Sequence, residues 1–275
     1  MTPLLDTGLY QLVEGRHGRF LANPNDLYIG RSLLTYGEFS EAECKVLCTM
    51  VPKNGVVIEA GANVGAFTVP LARKAGLGGM VYAFEPQVSI HQLLCANIAL
   101  NSLHNVQTFN AACGETEAWI NISRVDPSVE GNFGGLRLDQ LARPNGARVR
   151  IERLDAALDP PRLDLIKADV EGMERAVLEG ARGLITQHRP MIYAEAHNPD
   201  DAPALIRLLQ EMEYQLWWHL PRMFSPDNHA GVAKNLFGVI TSKNILARPA
   251  ERATNIVGGK PVAGESDHPA HWGAA

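Results

Sequence analysis

From residue 55 onward, two periodicities alternate along the chain. Short apolar runs (Val56-Val57-Ile58, Met80–Phe84, Val106–Ala111, Leu163–Ala168, Met191–Ala194) take turns with stretches whose apolar residues recur every three or four positions (about Ala66–Lys74, Ile90–Leu100, Met173–Ala181, Ala202–Met212). Runs this short and this apolar read as strands buried on both faces, and the intervening segments read as the helices that cover them. Strand and helix alternate up to Val106–Ala111 and again from Leu163, on either side of a break rich in Gly and polar residues over roughly 114–150; this predicts a parallel sheet, and right-handed crossovers make the open doubly wound form its economical topology. Tyr214–His219 and Phe237–Thr241 are expected to close it as an antiparallel pair. The predicted class is α/β, a mostly parallel sheet with helices on both faces.

The two ends read differently. Residues 1–39 break short apolar pieces with Gly, Asn and Pro, a hairpin-like pattern. Ser40-Glu41-Ala42-Glu43 has the spacing of a capping box, and Val46, Leu47 and Met50 line the helix that would follow, up to Val51-Pro52. From Ala247 the chain is rich in Gly, Ala and Pro without apolar period, which predicts a flexible tail. The expected organisation is an N-terminal hairpin and helix extension over 1–54, the main domain over 55–245 and a tail over 246–275.

Composition narrows the function. With 275 residues, 46% hydrophobic and 20% charged, the chain has the makeup of a folded globular protein. A formal charge of −5 argues against a protein built to grip phosphate backbones, so no nucleic-acid partner is expected. No run of eighteen apolar residues occurs and the N-terminus lacks a signal-peptide pattern, so no membrane insertion and a cytoplasmic location are expected. Cys44, Cys48, Cys95 and Cys113 form no CxxC pair and read as reduced core residues, Cys44 and Cys48 as neighbours on one helix face. No metal site is expected.

Candidate chemistry starts at Glu59-Ala60-Gly61-Ala62-Asn63-Val64-Gly65, a strand end, a bend of small residues and a helix start. Gly61 can take backbone angles closed to other residues, and Gly65 lets the helix approach the sheet. Glu85, in Phe84-Glu85-Pro86 at the end of the next strand, is placed to accept both hydrogen bonds of a ribose diol, which points to an adenosine-bearing cofactor. A dinucleotide fingerprint needs G-x-G-x-x-G, whose second glycine makes room for pyrophosphate; side chains stand there here. S-adenosylmethionine carries no phosphate and fits better, with Glu59 near its ammonium and bend amides near its carboxylate.

At this point the chain, over roughly residues 34–245, resembles the FkbM-type methyltransferases, S-adenosylmethionine-dependent enzymes with a Rossmann-like sheet. The matching pieces are the bend from Glu59 to Gly65, where the family usually has Asp at the first position, then Phe84-Glu85-Pro86, Asn110-Ala111-Ala112-Cys113-Gly114 and, most specifically, Leu165-Ile166-Lys167-Ala168-Asp169-Val170-Glu171-Gly172-Met173-Glu174. The resemblance implies an O-methyltransferase acting on a hydroxyl of a sugar, glycolipid or natural product. Cofactor contacts are then expected from Glu59, Gly61, Asn63, Gly65, Glu85, Pro86, Asn110 and Ala111.

Methyl transfer to a hydroxyl needs an aligned oxygen and a place for its proton. Lys167 and Asp169 alternate onto one face at the sheet's C-terminal edge, with Glu171 in the following loop and His197 after the next strand. Asp169 is the first candidate for positioning or base, with Lys167, Glu171 and His197 beside it. An ion pair of Lys167 with Asp169 and a loop role for His197 are the plainer readings. Trp217-Trp218-His219 with Phe224 could wall an acceptor pocket or simply be core, and Asn132-Phe133-Gly134-Gly135 could form a mobile lid or a hairpin tip. A nucleic-acid methylase would carry D/N-P-P-Y/F where Asp169-Val170-Glu171 stands; Asp159-Pro160-Pro161-Arg162 imitates it but precedes the strand. A nicotinamide-linked oxidoreductase, a non-catalytic binding relative and a methyltransferase acting on protein are the rivals, and homo-oligomerisation is left open.

Overall fold

The computed structural model describes residues 2–135, 137, 143, 146–252 and 259–272. It opens with three antiparallel strands, β1 (Leu5–Asp6), β2 (Gln11–Gly15) and β3 (Gly18–Ala22), then helices α1 (Ile29–Tyr36) and α2 (Glu41–Met50). The alternating core follows as β4 (Val56–Ala60), α3 (Thr68–Ala75), β5 (Met80–Phe84), α4 (Val88–Leu100) and β6 (Val106–Phe109). A side sheet of β7 (Ala111–Cys113), β8 (Ala118–Ile122) and β9 (Ala147–Glu152) interrupts it. The chain resumes as α5 (Leu154–Ala157), β10 (Leu165–Ala168), α6 (Glu174–Glu179), α7 (Arg182–His188), β11 (Met191–Glu195), α8 (Ala202–Glu211), β12 (Tyr214–His219), β13 (Asn244–Pro249) and β14 (Lys260–Pro261).

The main sheet has the order β14-β12-β13-β11-β10-β4-β5-β6, with β6, β5, β4, β10 and β11 parallel and β13 antiparallel to both neighbours. This is the doubly wound α/β sheet the apolar pattern predicts. Ile58, Ile166 and Ile192 pack on one face while Val57, Leu165 and Tyr193 pack on the other, so adjacent positions are buried against opposite layers. Each such aliphatic side chain contributes about 1.5–3 kcal/mol by leaving water. Strand order reverses between β4 and β10, so the loops after these two strands diverge and leave a crevice at their C-terminal ends.

Three expectations change. Ser40 takes a left-handed conformation (φ 42°) and makes no side-chain bond to the backbone of α2; its Oγ instead donates to Glu43 Oε2 (3.0 Å). The capping box is thus replaced by a bond between two buried side chains. The antiparallel partner of β12 is Asn244–Pro249 rather than Phe237–Thr241, because Ile245, Leu246 and Ala247 carry the fully buried apolar run. Phe237–Thr241 lies in the loop before it.

The flexible tail expected from 246 also needs correction, since its first residues complete a strand near the middle of the sheet. Beyond it, Val262 N–H donates to the Leu216 carbonyl (3.0 Å), His268 Nε2 lies 2.8 Å from the Ala196 carbonyl oxygen, and Trp272 stands edge-on to Trp218. Composition missed these few aromatic and histidine anchors. Residues 253–258 and 273–275 of that expected tail lie outside the described residues.

Candidate active site

A cavity of about 310 Å³ opens at the C-terminal ends of β4, β5, β10 and β11. One wall is the glycine bend. Gly61 has φ +82°, and a Cβ built there would lie 1.8 Å from the Asp169 carbonyl oxygen, so only glycine lets the ends of β4 and β10 meet. Gly65 (φ +88°) lies under Leu94 of α4 and does not line the cavity. The Gly61 and Ala62 amides donate to the Phe84 carbonyl, Asn63 N–H to Glu85 Oε2 (3.0 Å), Val64 N–H to the Asn63 side chain and Gly65 N–H to the Ala62 carbonyl. These five bend amides are spent within the protein, which corrects the expectation that they would take a ligand carboxylate.

Glu85 lines the same wall. Its other oxygen accepts from Gln87 N–H (2.8 Å), so one carboxylate ties the bend to the strand end after β5. Burial pushes the Glu85 carboxyl up to about 7 against the pull of those two amide bonds. Pro86 and Ala111 also line the cavity. Asn110 does not; its amide donates to the Glu85 and Pro86 carbonyls at 3.0 Å each and so fixes that strand end from behind. Glu59 is buried behind the bend, bonded by the Thr68 hydroxyl (2.6 Å) and 4.0 Å from Lys167 Nζ. It does not line the cavity, so direct contact with a ligand ammonium is replaced by a place in a buried charge network.

The far wall is acidic. Lys167, fully buried, donates to Asp169 Oδ2 (3.1 Å) and lies 5.0 Å from the Phe67 ring. Burial alone would lower its ammonium pKa, but Asp169, Glu59 and Glu43 more than offset this and hold it above its ordinary value. Lys167 is therefore a fixed cation, unsuited to act as a base. Asp169 and Glu171 line the cavity with Glu195, and carboxylate oxygens of the three lie within 4.8 Å of one another. Burial and the neighbouring carboxylates raise Glu171 to about 7 and Glu195 well above its usual range. His197 is exposed at the junction with a second cavity of about 260 Å³; burial, Lys243 and His268 lower its pKa, so its imidazole is neutral at neutral pH.

Several lining residues carried no sequence signal of this role. Glu43 enters from α2 and faces Lys167, and burial raises its carboxyl to about 7. Behind the lining, Glu174 accepts from Val170 N–H and Gly172 N–H and so pins the loop that bears Glu171; its place in the Lys167–Glu174 stretch was the available hint. Tyr28, Ile29, Phe39, Met223 and Ile240 come from distant segments. The Asn132–Gly135 segment does cover the cavity, but it is anchored: Phe133 is buried and its carbonyl accepts from Gln87 Nε2 (2.7 Å). Trp217 and Trp218 are core, while His219 pairs with the Tyr193 hydroxyl and Phe224 with the Tyr36 ring.

The sheet topology and the crevice at its switch point define a Rossmann-like α/β fold that binds its ligand at the C-terminal strand ends. Residues 59–216 match the family described as the methyltransferase FkbM domain, and the chain belongs to that family. Among curated relatives it is 27% identical over 208 residues to the AMB antimetabolite synthetase AmbE of Pseudomonas aeruginosa, covering 61% of this chain and 10% of that protein. It is 25% identical to methyltransferase sdnD of Sordaria araneosa (53% of this chain, 67% of the relative) and 26% identical to methyltransferase 1 of Beauveria bassiana (51% and 63%). The chain thus spans a tenth of the first relative and about two thirds of the fungal ones. Among solved structures, methyltransferase FkbM of Methylobacillus flagellatus aligns with TM-score 0.48 at 18% identity (82% of this chain, 48% of that one). TYW2 of M. jannaschii, solved with AdoMet, aligns with TM-score 0.49 at 15% identity (89% and 88%).

The residues present suit the cofactor. Next to Glu85, the Gln87 side-chain oxygen is buried and without a hydrogen-bond partner among the described residues. Two acceptors on one wall are what the hydroxyl and amino donors of a nucleoside require.

Proposed function

We propose that the chain moves the methyl group of S-adenosylmethionine to a hydroxyl oxygen of a small organic acceptor. In this reading Asn63, Glu85, Pro86, Gln87 and Ala111 hold the nucleoside, and the bound donor supplies a methyl already activated on a sulfonium. The protein's own task is alignment and proton removal. Lys167 orients Asp169, Asp169 accepts the hydrogen bond of the acceptor hydroxyl and serves as first base, and the neutral His197 imidazole offers the proton a route to solvent. The observation that carries this reading is one cavity bounded on one side by Glu85 and the glycine bend and on the other by the Lys167–Asp169 pair. The two fungal relatives, both methyltransferases by name, support the reaction class, and the antimetabolite synthetase agrees with a natural-product acceptor. Incubation with isotopically labelled donor and fractionated extract tests it: label in a neutral metabolite, saccharide or lipid, as a base-stable ether, is the expected outcome. Label confined to nucleic acid or protein, or in no fraction, would overturn it.

A further inference from the structure

A second cluster of titratable side chains sits outside the cavity, where the turn of the β2–β3 hairpin meets α2. His17 Nε2 lies 2.7 Å from Glu41 Oε2 and 3.5 Å from Cys44 Sγ, and these three ligand atoms fall within 4.8 Å of one another. Cys48 lies one turn further along α2. Glu41, Cys44 and Cys48 follow an i, i+3, i+7 pattern and share one helix face. Glu41 and Cys44 are buried, Cys48 is half-buried, and the His17 side chain is 26% exposed, so the site is shielded but reachable.

We propose that His17, Glu41, Cys44 and Cys48 bind one zinc(II)-type cation that clips the hairpin to α2. Two thiolates, an imidazole nitrogen and one carboxylate oxygen are a four-donor set for tetrahedral zinc, whereas magnesium or calcium would call for oxygen ligands. Zinc–sulfur and zinc–nitrogen bonds of about 2.3 and 2.0 Å place those donors roughly 3.5 Å apart in a tetrahedron, which is the His17–Cys44 separation. The shorter His17–Glu41 hydrogen bond must open by roughly 0.6 Å as the metal replaces the proton between them.

Charge agrees with this assignment. Two thiolates, a carboxylate and a dication sum to −1, and the cations next to the cluster's carboxylate are Arg16 (3.9 Å from Glu41 Oε2) and Lys45 (3.8 Å from Glu41 Oε1). The thiolate is the binding form. Absence of a CxxC pair hid this set, because the fourth ligand comes from a turn 24 residues before Glu41. The site is a clip with a consequence: α2 also carries Glu43 into the active-site cavity, and Arg16 reaches Glu38 and the Asp227 carbonyl, next to the loop that bears Met223 and Ile240.

Cobalt(II) titration of the reduced full chain tests the proposal, with cobalt as the spectroscopic stand-in for zinc. The expected result is one equivalent bound with thiolate-to-cobalt charge-transfer absorption in the near ultraviolet, displaced by zinc, absent in C44S and C48S and weakened at least about tenfold in H17Q. Should C44S fail to fold, C48S and H17Q, altered at more accessible positions, decide the matter. D169N should leave the absorption unchanged, since the acidic trio of the cavity holds no sulfur. Cobalt binding without a thiolate band, no binding at stoichiometric metal, or a band that survives in both C48S and H17Q would overturn it.

Discussion

The two walls of the cavity differ in how far along the chain their parts come from. The glycine-bend wall runs over 27 residues from Gly61 to Gln87, and its members bond directly to one another: Asn63 to Glu85, Glu85 to Gln87, Gly61 and Ala62 to Phe84. The acidic wall draws Ile29, Glu43, Asp169, Glu195 with His197, and Ile240 from five separate segments, held by the fold rather than by mutual bonds. A locally bonded wall suits the part of a reaction shared by a whole family, and a wall of separate loops suits the part that varies between acceptors.

The difference can be broken first at the point where the walls touch. G61A should cost several kcal/mol, about 3–5, because a side chain at positive φ is strained and its Cβ would push the Asp169 carbonyl away; a urea denaturation midpoint measures it. D169N should lower kcat by about 10²- to 10⁴-fold while donor affinity stays unchanged, a split visible by combining turnover with a binding titration. E85Q should do the reverse, weakening the donor by about 10- to 100-fold through loss of a charge-assisted hydrogen bond. I240A should raise the acceptor KM a few-fold and leave the donor alone; equal effects on both ligands would erase the distinction between the walls.

A pH dependence of stability is also expected. Glu43, Glu59, Glu85 and Glu171 are each raised to about 7. A carboxyl whose folded pKa exceeds its unfolded one holds its proton more tightly in the native state, so its contribution to stability is full below about pH 4.5 and is lost as pH rises through about 7. The ligand-free protein should therefore lose stability between these values, as read by thermal denaturation across a pH series. E85Q should flatten that slope.

What could be read from the chain follows the same division. The bend, Glu85 and the Lys167–Glu174 stretch are contiguous, and their chemistry is set by strand ends and a turn that local spacing describes. Glu43 was legible only as a capping residue, because nothing local reveals that Ser40 adopts a left-handed turn and that the carboxyl faces Lys167. Asn244–Pro249 was divided between domain and tail, since its strand exists by pairing with β11 and β12 rather than by any period of its own. Glu59 shows the opposite limit: its position beside the bend was right, but burial and the Thr68 hydroxyl turn it away from the cavity.

The most direct trial is a crystal structure with S-adenosylhomocysteine bound. The account predicts the ribose hydroxyls within hydrogen-bond distance of the Glu85 carboxylate and the sulfur facing Asp169. Density for the nucleoside elsewhere, with Glu85 bonded only to Asn63 and Gln87, would contradict it.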